Sequence, residues 1–252
     1  MDNRPIVTLD YNSIIALEHP DEPQQQPIAE VIRELMRYHD AGHIALKVTS
    51  STMLENPRPG EEDLGIAELI VHYQELGLGS VELFRGPHCL SFTDGKGNIY
   101  AGRDWDQWFL RRVHALLHPN IDFDLRAYRQ YYCEHRGLDE LDATLIAKIS
   151  SYKWLPLDAF AARAEAEQLR TTRPDLVRHA ERIDKKWNNA KSDALGLCTH
   201  ASWGGAIFVT NDGHFHGKNH DELERLTNSQ IVHPHEAIEA VRRRIGIAVP
   251  SH

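Results

Sequence analysis

Three short apolar runs in this chain stop at or just before a carboxylate. "RPIVTLD" closes on Asp10, "ALKVTSSTMLE" leads to Glu55, and "GGAIFVTND" closes on Asp212. Short runs rich in Val, Ile and Thr read as buried strands. The segment between the first two agrees with that reading. "PIAEVIRELMRYHDAG" places Ile28, Val31, Ile32, Leu35 and Met36 on one helical stripe, with Pro27 suited to a start and Gly42 to a stop. Strand, helix, strand, helix is the opening of an α/β fold, with a parallel sheet flanked by helices.

A carboxylate at the end of a buried strand is costly to desolvate unless something offsets its charge. A fourth acid, Asp193, stands in "NNAKSDALGLCTHA", and the pattern predicts it early in a helix beside the strands. Strands of a parallel sheet end on one side, and open α/β sheets bind ligands at that carboxyl edge. Asp10, Asp193 and Asp212 can then face one point. Acids that converge call for a cation, and an all-oxygen set suits Mg²⁺ or Mn²⁺. Such a site, with open coordination positions, is what hydrolysis of a phosphodiester by water requires. Taken singly, each acid also fits a helix cap or a solvated strand end.

In their order and surroundings, Asp10, Glu55, Asp193 and Asp212 give a pattern that resembles the PIN-domain nucleases. The C-terminal piece "SDALGLCTHASWGGAIFVTNDGHF" carries an acid on a helix, a strand, then Thr-x-Asp and a nearby Phe. Asn12, two residues after the first acid, and Thr210, two before the last, fit the resemblance as supporting residues. It covers roughly residues 4–56 and 175–245. It implies a Mg²⁺- or Mn²⁺-dependent endoribonuclease in which the four acids are the metal ligands and catalytic residues. It also raises a toxin or defence setting, with an antitoxin-like protein as one partner. Two alternatives stay open: a PIN-like binding or scaffold subunit without activity, and a structure-specific DNA nuclease. A homodimer is left open too.

The departure from compact members of that family is the middle of the chain. Glu55 and Asp193 are separated by more than half of the sequence. At 252 residues the chain is long enough for one domain carrying a sizeable insertion. We therefore expect a nuclease core of residues 1–56 and 173–252, and a mostly helical insertion over 57–172. Within it, "IAELIVHYQELGLG" reads as a helix, "SVELF" as a strand and "CLSFTDGKGNIYAG" as a hairpin. "DQWFLRRVHALLH", "LRAYRQYYCEH", "ELDATLIAKISSY" and "LDAFAARAEAEQL" read as helices.

The net charge of −9 argues against a broad electrostatic grip on nucleic acid. Binding of RNA, or of DNA, would rest on a local strip, and Arg182, Lys185, Lys186 and Lys191 on the helix before Asp193 form the best one. Trp187 among them reads as a core anchor. "RDWDQWFLRR", with Trp105, Trp108, Arg111 and Arg112, reads as core of the insertion with a charged edge. His214, His216 and His220 read as a polar loop more readily than as a zinc site, with Phe215 as packing. His114 and His118 read as a solvated helix face, although Cys133 and His135 could complete a tetrahedral set. No apolar run reaches bilayer length. The opening has no signal-peptide layout, and Cys89, Cys133 and Cys198 lack CxxC spacing. Reduced thiols and a cytoplasmic setting are the expectation.

Overall fold

A computed structural model describes residues 4–49, 66–84, 107–152, 155 and 158–247. The chain divides into two compact units, Met1–Gly86 with Ser192–His252, and Pro87–Lys191.

The first unit is built on a five-stranded sheet in the order β3-β2-β1-β4-β5, and every pairing is parallel. The strands are β1 (Ile6–Leu9), β2 (Ala45–Thr49), β3 (Glu82–Phe84), β4 (Ile207–Val209) and β5 (Gln230–Val232). The chain winds outward from β1 through β2 to β3, then returns to β4 on the other side of β1. The winding direction therefore reverses between β1 and β4. The α/β class with a parallel sheet, expected from the opening of the chain, is the observed one.

One face of the sheet carries Val7, Leu9, Leu46, Val48, Ile207 and Val209, all buried with Ile14, Leu17, Ile32, Leu35 and Val241. Those partners come from α1 (Tyr11–Glu18), α2 (Gln26–Asp40) and α10 (Pro234–Ile245). The apolar stripe of α2 faces this core as its spacing predicts, and Pro27 and Gly42 (φ 77°) mark its ends. The alternate strand positions, Thr8 and Phe208, are equally buried on the opposite face. His200 lies against both, with its ring 5.3 Å from that of Phe208. Phe208 in turn meets Phe215, which is fully buried, as its reading as a packing residue requires.

The second unit is helical in its described residues. It contains α4 (Gln107–Leu117), α5 (Leu125–His135), α6 (Glu140–Ser151), α7 (Phe160–Thr172) and the first part of α8 (Pro174–Ser202). Its core holds Tyr128, Tyr132, Cys133, Ile146, Ile149, Leu176, Ala180 and Ile183. Asp124 and Asp139 cap α5 and α6 through their carboxylates, Asp124 satisfying two backbone amides and Asp139 one that the helix itself cannot.

Several expectations are corrected here. The joints of the insertion do not fall at 57 and 172. The segment α3 (Ile66–Glu75) to β3 belongs to the sheet unit, because β3 pairs with β2. The later joint lies inside α8, between Lys191 and Ser192. Asp193 is accordingly not early in its helix. No Pro or Gly interrupts the chain from Asp175 to Lys191, so α8 runs unbroken and Asp193 sits two-thirds of the way along its 29 residues. Two elements had no clear sequence signal, α9 (His220–Thr227) and β5. Trp108 is 62% exposed, so it is not part of the insertion's core. His114 and His118 are buried and not on a solvated face. The hairpin expected over 89–102, with Cys89 and Trp105, lies outside the described residues.

Candidate functional site

β1 and β4 are adjacent, and each delivers an acid as it ends. The bond from the Asp10 amide to the Val209 carbonyl (3.0 Å) ties the two strand ends together. Asp10 takes the N-cap position of α1 in an extended conformation, but its carboxylate makes no capping hydrogen bond. It accepts instead from the Thr210 hydroxyl, at 2.7 Å. The same hydroxyl oxygen accepts from the Asp212 amide at 3.1 Å. Thr210, itself fully buried, therefore sets the position of both acids. Asp212 is further held by its own loop: the His214 amide donates to Oδ1 at 2.8 Å, and the His214 ring lies 3.1 Å from the same oxygen.

Asp193 comes to the site from α8. Ser192 to His200 are buried without interruption, as the helix there packs on the sheet unit. Asp193 is only 8% exposed. Its charge reaches Asp10, whose pKa is raised to about 7. Burial is the largest cause. The carboxylates of Asp193 and Asp212 push the same way, while the Thr210 hydroxyl and the Tyr11 amide oppose. Three carboxylates thus meet where the sheet reverses its winding, the place at which open α/β sheets bind ligands. Asp10 stands at the N-cap position of α1 but its carboxylate does not cap the helix, and neither Asp10 nor Asp193 is solvated.

The donor set is not oxygen only: a His214 ring nitrogen lies within 4.8 Å of an Asp193 carboxylate oxygen and 3.1 Å from Asp212 Oδ1. Carboxylates with an imidazole beside them make a donor set that does not single out one divalent cation. Glu55 lies outside the described residues. Asn12 is on the first turn of α1, one residue past the Asp10–Tyr11 step. Thr49 ends β2 beside Asp10, because Leu9 pairs with Val48, and it is buried.

Of the basic strip, Arg182, Lys185 and Lys186 are exposed on α8. Lys191 is not: its ammonium lies 4.7 Å from the centre of the Trp187 ring, and burial lowers its pKa. Trp187 anchors locally, donating from its indole nitrogen to the Phe123 carbonyl at 3.2 Å. The tetrahedral set considered for His114, His118, Cys133 and His135 does not assemble. Cys133 is buried in the core, whereas His135 is exposed and stacks on Tyr131 at 3.9 Å. Cys133 and Cys198 are both buried.

Two layers around the site escaped sequence reasoning. Below it, His200 Nδ1 is 2.7 Å from the Thr8 hydroxyl, and burial holds its pKa down at about 3, so the ring is neutral. Its one visible signal is Gly205, where a Cβ would come within 2.1 Å of the ring. Beside it, His216, His220, His233 and His235 form a row of nearly parallel rings. The signal for that row was the crowding of histidines in "DGHFHGKNH" and "HPH", but nothing in sequence shows that the two meet.

Comparison with protein-family models, with curated proteins and with solved structures found no match. Among the described residues, no helix is long and apolar enough to cross a membrane.

Proposed function

We propose that this chain is a metal-dependent endonuclease of the PIN-domain type, acting on RNA in the cytoplasm. The observation that carries the reading is the meeting of Asp10, Asp193 and Asp212 at the carboxyl edge of a parallel sheet, between the strands where its winding reverses. The acids come in the order that the resemblance requires, and Glu55 is assigned as the fourth.

The residues have separate tasks in this reading. Asp10, Asp193 and Asp212 hold the cation, and Thr210 keeps one oxygen of Asp10 from turning away. A bound Mg²⁺ or Mn²⁺ would polarise the phosphoryl group and lower the pKa of a coordinated water. The chain offers its substrate an exposed cationic stretch at Arg182, Lys185 and Lys186. His200 is excluded as a general base, because it is fully buried away from any substrate and burial makes its ring a weak base. The choice of RNA over DNA rests on the resemblance alone.

The test is incubation of the purified chain with mixed RNA and DNA substrates, with Mg²⁺, Mn²⁺ or EDTA. RNA cleavage that needs metal and disappears in Asp10→Asn, Asp193→Asn and Asp212→Asn is the expected result. Metal-independent cleavage, or full activity in any of these variants, would contradict the assignment.

A further inference from the structure

His216 is placed to brace the acid site from outside it. Its Nε2 lies 3.0 Å from the backbone carbonyl of Thr210. A carbonyl oxygen can only accept, so Nε2 carries the proton and donates. The Thr210 amide donates to Val232 on the neighbouring strand at 3.1 Å. The Thr210 backbone is therefore held on both sides, and its hydroxyl is in turn the group that positions Asp10 and the Asp212 amide.

The ring of His216 is itself held. His233 stacks on it with centroids 3.5 Å apart and planes within 18°. His233 is fixed because it is the N-cap of α10: its backbone carbonyl accepts from the Glu236 amide at 3.0 Å, and the Glu236 carboxylate accepts from the His233 amide at 3.1 Å. On the other side His220 stacks at 5.6 Å and bonds through Nδ1 to the Phe215 carbonyl at 3.0 Å. A contiguous path runs from the first turn of α10, through two imidazoles, to the strand end that carries the acids.

From this path we infer that His216 is a positioning residue for the acid site: its N–H locks the Thr210–Asp212 turn so that Asp10 and Asp212 face the same point. The inference rests on the nuclease reading for its function, but the brace itself is a property of the protein without metal. A glutamine could replace the N–H donor, and an alanine could not.

Amide hydrogen exchange in the metal-free full chain tests the brace, with the Asp212 amide as reporter. Losing one hydrogen bond should speed exchange there by roughly five- to tenfold in His216→Ala. His216→Gln should stay near wild type, and the amides of Val7 to Leu9 should not change in either variant. Unchanged exchange at Asp212 in His216→Ala would overturn the inference. So would an equal rise across the whole sheet, which would mean that His216 only supports overall stability. RNA cleavage by the wild-type chain is the separate arm. If it is absent while the exchange pattern holds, the nuclease reading falls and the brace stands. If cleavage occurs, His216→Ala should lower kcat with little change in KM, and His216→Gln should restore it.

Discussion

At the scale of single residues, the site is governed by the cost of keeping a charge at Asp10. Its folded pKa of about 7 lies above the ordinary 3.8. Between those values the folded chain keeps the proton that the unfolded chain releases. The Asp10 contribution to stability is therefore present at low pH and lost as pH rises toward 7. At about 1.4 kcal/mol per unit the loss reaches at most ~4 kcal/mol. His200 acts in the opposite sense. Its pKa is depressed, so its contribution is present above about 6.5 and lost on acidification. The two windows overlap, so the wild-type profile mixes them, and a difference separates them. In metal-free protein, the melting temperature of Asp10→Asn minus that of wild type should grow as pH is raised from about 4 to about 7. Thermal melts over that range check it, and a constant difference would show that Asp10 ionises freely in the fold.

At the scale of elements, the turn between α8 and β4 shows how closely helix and sheet are fitted. α8 ends at Ser202, Gly204 turns the chain with φ 69°, and Gly205 lets the backbone pass directly against the His200 ring. A Cβ at Gly205 cannot be accommodated without moving a fully buried ring. Gly205→Ala should lower stability by about 1–3 kcal/mol, the range for overpacking a dense core. The penalty should shrink in a His200→Ala background, where the obstacle is gone. Urea unfolding of the four proteins gives the coupling, and an undiminished penalty would locate the strain elsewhere.

The same elements explain what could be read in the sequence. β1, β2, β4 and α2 were legible because their burial follows from their own residues: a β-branched run, or an apolar stripe between Pro27 and Gly42. The strand-end acids were legible for the same reason, since a charge at the end of a buried run stands out. β5 was not, because three residues with only Ile231 well buried carry no period. α9 was not, because it buries little beyond Leu223 and Thr227. Asp193 was placed on a helix, but its depth along α8 was hidden, because nothing local marks where a continuous helix passes from one unit to the next. The brace of His216 on His233 was illegible in principle: it joins residues that only the β4–β5 pairing brings together.

At the scale of the whole molecule, charge sets how a polyanion could be held. The chain carries −9 overall. Substrate grip must then come from a local stretch, and the exposed part of the strip on α8 has lost one member, since Lys191 packs against Trp187. Lys185 and Lys186 remain. Each phosphate contact to a single strand contributes about −0.7 to the slope of log affinity against log salt. Replacing both lysines with Ala should flatten that slope by roughly one unit or slightly more, and weaken all sequences alike. RNA binding by an Asp193→Asn background across a salt series measures this, and an unchanged slope would mean that the nucleic acid enters by another side.

The central claim is that three acids from β1, α8 and β4 share one cation, and it can be measured without any substrate. Mn²⁺ is titrated into the metal-free full chain above pH 7, where Asp10 is mostly ionised, and free Mn²⁺ is followed by paramagnetic resonance. The wild type should bind saturably. Asp10→Asn, Asp193→Asn and Asp212→Asn should each weaken binding by about tenfold or more, the equivalent of ~1.4 kcal/mol per lost ligand. No saturable binding by the wild type, or unaltered binding by Asp193→Asn, would contradict the shared site.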